Sequence, residues 1–222
     1  YHADHKRSIE DPEGFWSNIA EHFVWKKKWD KVLQWNFTDP SVRWFEGAQL
    51  NITENCIDRH LADKGDQPAI IWEPNDPSDR TRVVTYNILH KRVCQFAQVL
   101  INNGVKKGDR VAILSRNNPQ WMMAFIATTS IGAVAVPMNA WWTTEELDYG
   151  FEDSGAKVVV ADRDRIERPM PIARRHGLQL VSVDDCDGLA IEHTTQAYFC
   201  GARNKENLQV WSRAVYCKNM TI

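Results

Sequence analysis

The stretch that decides the fold runs from Gly108 to Asp162 and reads GDRVAILSRNNPQWMMAFIATTSIGAVAVPMNAWWTTEELDYGFEDSGAKVVVAD. Three short apolar runs, at Arg110–Leu114, Ala133–Pro137 and Lys157–Ala161, alternate with two segments of helical periodicity. Strands that alternate with helices in this way are typical of a parallel sheet covered by crossover helices. The stretch therefore predicts an α/β domain with a mostly parallel sheet flanked by helices.

Local signals mark where the two helices begin. Asn118 precedes Pro119, which places a capping side chain before a proline at the first helical position, and Gly132 can end that helix. The second helix is predicted to start after Thr143, because Thr143 and Glu146 can form a capping box in which each satisfies a backbone N–H.

The same stretch resembles the N-terminal subdomain of the adenylate-forming acyl-CoA ligases. In that family, an Asn-x-Pro-x-Trp helix start, a Gly-Ala-Val-x-x-Pro strand and an Asp-Ser-x-Ala-Lys segment follow the first strand in this order. Here they are Asn117–Trp121, Gly132–Pro137 and Asp153–Lys157. Several matches in one order are more specific than any single motif, and the resemblance implies the N-terminal part of the acyl-CoA ligase fold.

Upstream, a second block resembles the N-terminal extension of the acetyl-CoA synthetase group, where a Trp-Phe–Gly–Leu-Asn segment precedes Asn-Cys-x-Asp-Arg-His. Both parts occur within Trp44–His60. The resemblance implies an extension of this type at residues 1–65, the first part of an AMP-dependent synthetase/ligase domain at 66–185, and an unassigned tail at 186–222. The extension is rich in tryptophan, and Ser8–Phe23 has helical periodicity, so a Trp-rich helical extension is predicted.

Further elements flank the central stretch. Strands are predicted at Ala69–Trp72 and Arg82–Thr85, and an amphipathic helix should follow, capped by Thr85 and ending near Gly104. After Asp162 the pattern predicts a basic amphipathic helix, Arg163–His176, and a fourth strand, Leu178–Val183. A sheet of only four strands would leave an unpaired edge and uncovered apolar faces, so the chain is expected to aggregate or to bind a hydrophobic dye.

Two short segments admit a functional and a structural interpretation. Lys26–Lys28 lies among tryptophans, as in some nucleic-acid-binding surfaces, but three isolated lysines are more typical of a solvated turn. Asp58 and His60 could belong to a catalytic charge relay, but no nucleophile is evident nearby. A helix that directs these two side chains to different faces is the preferred interpretation.

The composition is that of an ordinary globular protein. The formal net charge of −2 gives no electrostatic footprint for nucleic acid, and no apolar run approaches the roughly 18 residues needed to span a bilayer. Tyr1–Glu10 is polar and shows no signal peptide, so a cytoplasmic location is expected. None of the five cysteines forms a C-x-x-C pair, and no metal site is expected.

The resemblance implies an enzyme, an acid–thiol ligase, acting in two steps in the intact parent. A small carboxylic acid attacks ATP to give an acyl-adenylate, and coenzyme A then displaces AMP. This chemistry needs a Ser/Thr/Gly-rich phosphate loop ending in Lys, Mg²⁺, a nucleotide pocket and a C-terminal catalytic Lys. The eleven glycines are dispersed and no such loop appears. The chain is therefore expected to be an inactive fragment that holds no catalytic residue.

Coenzyme A is the one cofactor for which the resemblance suggests residues here. In acetyl-CoA synthetases, arginines after the strand equivalent to Lys157–Ala161 meet the phosphates of coenzyme A. Arg163, Arg165 and Arg168 lie there, and arginine–phosphate pairing would be apt. The family's Gly-Gly step, which lets backbone approach the cofactor, is replaced by Ala140-Trp141. A solvated helix face is the preferred interpretation of the three arginines, and contact with coenzyme A phosphates is the alternative.

The subfamily is divided along the chain. Up to about residue 112 the amino-acid sequence is most similar to that of acetyl-CoA synthetases, which favours an acetate–CoA ligase. The Pro137–Trp142 segment is closer to fatty-acid–CoA ligases, so a medium- or long-chain ligase is the alternative. The chain either belongs to an intermediate subfamily or joins two related pieces. A non-catalytic binding or interaction module built on the same half-fold is the third possibility.

Overall fold

The computed structural model describes residues 1–183 and the short strand at 194–196. The chain divides into two compact units, of which the first is Tyr1–Arg59 and the second starts at His60. The predicted division into an extension, a ligase domain and a tail at residues 65 and 185 stays a prediction. The tail lies outside the described residues apart from Thr194–Gln196.

The first unit begins with two helices, α1 (His2–Glu10) and α2 (Pro12–Ala20). The single helix predicted at Ser8–Phe23 is therefore wrong. Pro12 restricts the backbone of the preceding residue to extended conformations, and Asp11 accordingly has φ −137°. The Asp11 side chain then caps α2 by accepting a hydrogen bond from the backbone N–H of Gly14 at 3.0 Å.

An antiparallel hairpin follows, which the sequence analysis did not predict. Its strands are β1 (Lys31–Asn36) and β2 (Ser41–Glu46). At the turn, the Asn36 side chain accepts a hydrogen bond from the backbone N–H of Thr38 at 2.9 Å. The unit ends with helix α3 (Ile52–Cys56) and a 3-10 turn that starts at Asp58.

The aromatic side chains of the first unit are clustered, in agreement with a Trp-rich extension. The rings of Trp25, Trp29 and Phe45 lie 5.2–5.4 Å apart between centroids. The lysines of Lys26–Lys28 are exposed, lie outside helices and strands, and each forms an ion pair with a carboxylate. This placement agrees with the solvated turn rather than with a nucleic-acid surface.

The second unit opens with helix α4 (Leu61–Lys64) and a separate antiparallel pair, β3 (Pro68–Trp72) and β4 (Arg82–Thr85). Helix α5 (Tyr86–Asn102) follows, with Thr85 as its N-cap. Gly104, just beyond its C-terminus, has φ +79°. Glycine adopts this left-handed conformation without the cost that a Cβ would impose.

A parallel sheet forms the centre of the second unit. Its strands are β5 (Arg110–Leu114), β6 (Val134–Pro137), β7 (Val158–Ala161), β8 (Gln179–Ser182) and β9 (Thr194–Gln196), in the order β6-β5-β7-β8-β9. The first four lie where the apolar runs predicted them, which confirms the α/β fold class. The expectation that the sheet stops at four strands is wrong, because Thr194–Gln196 pairs with β8.

Helices cover both faces of this sheet. Helix α6 (Pro119–Ser130) connects β5 to β6, and α7 (Thr144–Ser154) connects β6 to β7. Side chains alternate between the faces of a strand, so Ala112 and Leu114 face α7 and share its apolar cluster with Leu147 and Phe151. Both sequence-predicted caps are present: Asn118 accepts from the Trp121 N–H, and Thr143 forms the capping box with Glu146.

The helix after β7 is shorter than predicted. Residues 163–169 form turns, and α8 covers only Met170–His176, so the predicted start at Arg163 is wrong. Pro169 and Pro171 cannot donate the backbone hydrogen bonds that a longer helix would need, and proline is tolerated only in the first turn. The predicted end is confirmed, because Gly177 has φ +67°.

Candidate functional site

The sheet changes winding direction at β5. From β5 the chain crosses to β6 on one side and then returns to β7 on the other side. In open parallel sheets, ligands bind outside the carboxyl ends of the strands at such a switch point. The residues that follow β5, β6 and β7 are therefore the candidate functional site, and we call them the carboxyl edge.

Asp162 is the first residue after β7 and lies buried at the centre of this edge. Its Oδ2 accepts a hydrogen bond from the backbone N–H of Arg116, which follows β5, at 2.9 Å. Both carboxylate oxygens also accept from Nη1 of Arg165, at 3.0 and 2.9 Å. The side chains of Arg165 and Asp162 are only 2% and 6% exposed, so this is a buried ion pair.

Two arginines connect this turn to the segment that follows β6. Nε of Arg165 donates to the carbonyl oxygen of Ala140 at 3.1 Å. Arg168 donates from Nη2 to the same carbonyl at 2.7 Å and from Nη1 to the carbonyl of Trp142 at 2.5 Å. We use the name arginine clamp for Arg165, Arg168 and Asp162 together with the backbone carbonyls of Ala140 and Trp142.

Trp141 lies between the two carbonyls that the clamp holds. Its backbone N–H donates to Oδ1 of Asn139 at 2.9 Å, and its side chain is 76% exposed. The guanidinium carbon of Arg165 is 5.5 Å from the centroid of the Trp141 ring, in the range of a cation–π contact. A large aromatic ring is thus presented to solvent from a turn that is fastened on both sides.

The structure separates the three arginines that the sequence analysis grouped together. Arg163 is exposed, Arg168 is partly buried and Arg165 is buried. The preferred interpretation, a solvated helix face, is wrong, because residues 163–169 form turns rather than a helix and Arg165 is buried. Contact of the three with coenzyme A phosphates stays a prediction.

Sequence reasoning missed Asp162 and Ala140 as members of this site. An Asp and an Arg three residues apart directly after a buried strand would have indicated the ion pair. No local signal points to Ala140, because its contribution is a backbone carbonyl.

Asp109 and Asp148, two carboxylates with a lowered pKa, lie away from the carboxyl edge. The pKa of Asp109 is lowered, first by its hydrogen-bonded ion pair with Lys157 and then by the backbone N–H of Lys106. The pKa of Asp148 is lowered by Arg175 and then by His176. Both groups tie neighbouring elements together, and neither adjoins the switch point.

In the Asp58–His60 turn, Arg59 and His60 contact neighbouring side chains and backbone. Arg59 donates to the carbonyl oxygen of His22 at 2.7 Å and to Oδ1 of Asn55 at 3.3 Å. The His60 ring lies 5.6 Å from that of Tyr86. These contacts favour the structural interpretation.

Within residues 1–183 and 194–196, no three His, Cys, Asp or Glu side chains are grouped as ligands for a metal ion. Over the same residues, no helix is both long and apolar enough to cross a membrane. The carboxyl edge offers arginines and backbone amides, which suit anions, although Nε and Nη1 of Arg165 and both terminal nitrogens of Arg168 already donate within the protein.

Two family models match the chain, one after the other. The model described as acetyl-coenzyme A synthetase N-terminus matches residues 1–56, and the model described as AMP-binding enzyme matches residues 57–209. An acetyl-coenzyme A synthetase of Alkalilimnicola ehrlichii is 47% identical over 161 residues, which are 72% of this chain and 25% of the relative. That of Vibrio cholerae is 42% identical over 179 residues, 78% of this chain and 27% of the relative.

The chain spans about a quarter of the length of the curated relatives it matches. Among solved structures, the acetoacetyl-CoA synthetase from Streptomyces lividans superposes with a TM-score of 0.79 over 88% of this chain and 32% of that chain. At 24% sequence identity, this likeness shows the fold.

Proposed function

The chain belongs to the family of AMP-binding enzymes, and on this premise we propose that it is the N-terminal part of an ATP-dependent carboxylate–CoA ligase of the acetyl-CoA synthetase type. The observation that carries the proposal is the order of the two family matches. A segment like the acetyl-coenzyme A synthetase N-terminus directly precedes the AMP-binding segment. The proposed compartment is the cytoplasm.

The proposed reaction of the intact enzyme has two steps. The carboxylate oxygen of a small acid attacks the α-phosphorus of ATP, and pyrophosphate leaves with Mg²⁺ as the counter-charge. The thiol of coenzyme A then attacks the acyl carbon, AMP leaves, and the product is a thioester. Because the described residues lack a glycine-rich phosphate loop and a metal-ligand group, we assign no step to them. We propose that the chain alone is inactive.

The proposed contribution of this chain is therefore a scaffold with one side of the coenzyme A site. Of the three predicted arginines, Arg163 is the exposed one, so it is the best placed of the three to meet a phosphate. Arg165 is buried, and both terminal nitrogens of Arg168 already donate to backbone carbonyls.

A fatty-acid–CoA ligase is the second candidate, and one feature favours it. Ala140-Trp141 stands where the acetyl-CoA synthetases have a Gly-Gly step, and the Trp141 ring is exposed at the carboxyl edge. A bulky residue there would alter the approach of a cofactor.

Isotope exchange between pyrophosphate and ATP tests the proposal. The purified 222-residue chain is assayed with acetate, hexanoate and palmitate in the presence of Mg²⁺. We expect no exchange with any acid. Exchange above that of heat-treated protein would show that this chain does contain a nucleotide site.

The transcript beyond the codon for Ile222 tests the family assignment. An in-frame Ser/Thr/Gly-rich loop ending in Lys is expected there. A reading frame that continues without such a loop would favour the non-catalytic module. If the loop is present, expression of the extended protein and comparison of acetate with longer acids would separate the two ligase candidates.

A further inference from the structure

We propose that Arg165 and Arg168 are positioning residues, which fix the Ala140–Trp142 turn at the carboxyl edge and do not bind phosphate. Arg163, which is exposed at the carboxyl edge, is the arginine of the three that we assign to an anionic ligand. Only this second statement rests on the proposed function, since the clamp is a property of the chain itself.

Two of the three guanidinium nitrogens of Arg165 donate to partners within the protein. Nη1 serves both oxygens of Asp162, and Nε serves the Ala140 carbonyl. To reach a phosphate in solvent, Arg165 would have to leave Asp162 as a buried carboxylate without its cation. Leaving a buried charge unpaired is strongly unfavourable, so the ion pair holds the guanidinium in place.

Arg168 is partly buried, but its two terminal nitrogens serve the carbonyls of Ala140 and Trp142. The planar guanidinium fork can bind two acceptors at fixed separation, which a lysine ammonium cannot reproduce. The Ala140 carbonyl accepts from both arginines, and its two lone pairs allow this. That oxygen is the common attachment point of the clamp.

The clamp joins strand ends that are not neighbours in the sheet. Ala140 and Trp142 follow β6, the arginines follow β7, and β5 lies between these strands. Through Asp162, the Arg116 N–H after β5 joins the same network. The network therefore links the ends of three strands, and the position of Trp141 depends on it.

Fluorine NMR of 5-fluorotryptophan-labelled protein tests the positioning role. The Trp141 signal is assigned by its loss in Trp141→Phe. In Arg168→Met, we expect this signal to move by more than its own linewidth or to broaden, while the signals of Trp25 and Trp29, in the first unit, stay unchanged. Arg168 makes no recorded contact with the Trp141 ring, so such a change would be transmitted through the turn.

Arg168→Lys separates geometry from charge. If the fork positions the turn, the Trp141 signal in Arg168→Lys should also move, because a lysine ammonium lacks the planar fork whose two nitrogens hold the two carbonyls. If only positive charge mattered, the signal would match that of the unmodified protein, and the proposal would be overturned. Arg174→Met, which replaces an exposed arginine of α8, is the matched control, and its Trp141 signal should stay in place.

Arg165→Met is the second variant that removes part of the clamp, and its Trp141 signal should also move. The tryptophan signals of the first unit report whether this variant remains folded. If it unfolds, Arg168→Met decides alone. An unchanged Trp141 signal in Arg168→Met, with the fold intact, overturns the clamp.

Titration with coenzyme A is the separate arm for Arg163. Saturable binding that is reduced at least about tenfold in Arg163→Met, which is 1.4 kcal/mol, and retained in Arg168→Lys supports the division of roles. Equal loss in both variants contradicts it. If the unmodified chain does not bind coenzyme A, the ligand-contact role of Arg163 is overturned, and the fluorine data on the clamp are unaffected.

Discussion

Replacement of Asp162 by asparagine (Asp162→Asn) removes the charge of a buried carboxylate and keeps its shape. The amide oxygen of the new side chain can still accept the hydrogen bond that Arg116 donates from its backbone N–H. Arg165, whose side chain is only 2% exposed, would lose its sole recorded carboxylate partner within the described residues. The substitution therefore measures the cost of a buried guanidinium without a counter-charge.

The expected cost follows from burial. Breaking a buried ion pair by removing one partner costs roughly 3–5 kcal/mol. Because Arg165 keeps its bond to the Ala140 carbonyl, we expect the lower end, about 3 kcal/mol. For a protein of this size, that corresponds to a fall in melting temperature of roughly 6–12 °C.

Urea unfolding followed by circular dichroism measures this difference. Asp164→Asn is the matched control, because Asp164 is 65% exposed and its carboxylate lies 3.8 Å from Nη2 of Arg116. An exposed pair of this kind contributes at most about 1 kcal/mol. Asp162→Asn should therefore unfold at a clearly lower urea concentration than Asp164→Asn.

The double variant Asp162→Asn/Arg165→Met adds an independent check. Residues in one buried network are not additive, so the double variant should be more stable than the sum of the two single effects by at least about 1 kcal/mol. If Asp162→Asn loses less than about 1 kcal/mol and the two substitutions add, the pair does not act as a buried ion pair and the reasoning fails.

Four further outcomes are expected. The Lys157 ion pair holds the pKa of Asp109 below its usual 3.8. The folded protein therefore gains the full stability from this ion pair above pH 3.8 and loses it as the pH falls through the lower pKa of the folded state. Melting temperatures measured from pH 7 to 2 should depend less on pH in Asp109→Asn. Asn118→Ala removes the cap of α6 and should cost about 0.5–2 kcal/mol in urea unfolding. Leu147→Ala empties a fully buried position in the α7 cluster and should cost about 2–5 kcal/mol. A hydrophobic dye should bind the chain, and Trp35→Gln, in the exposed face of the β1–β2 hairpin, should lower its fluorescence.

Each of these has an outcome that would contradict it. An unchanged pH profile in Asp109→Asn would show that the Lys157 pair contributes nothing to the pH response. Wild-type stability in Asn118→Ala or Leu147→Ala would mean that the cap or the cluster is not formed as described. Dye fluorescence that Trp35→Gln leaves unchanged would place the binding surface elsewhere.

The central sheet could be predicted because its signals are local. Arg110–Leu114 is a short apolar run, and such runs between capped helices are typical of strands buried on both faces. The caps at Asn118 and Thr143 depend on residues only three positions apart. Each local preference agrees with the global fold, so pattern reasoning succeeds here.

The features that were missed depend on distant partners. β1 mixes Trp35 with polar residues and has no buried alternation, so only its pairing with β2 defines it as a strand. β9 consists of three residues and is recognised by its register with β8. The clamp joins the Ala140 carbonyl to arginines 25 and 28 positions later, and no sequence period encodes that distance.

The order of the strands also has a consequence for how the protein is made. β5 is the first strand of the parallel sheet to leave the ribosome, yet both of its neighbours, β6 and β7, are synthesised later. Val111 and Ile113, which are fully enclosed in the finished structure, must therefore wait for a segment more than 40 residues downstream before both edges of β5 are paired. Parallel pairing of this kind forms slowly. A pause in translation before Val158 would therefore leave an incomplete sheet with exposed apolar residues, which is prone to aggregate and is a substrate for chaperones.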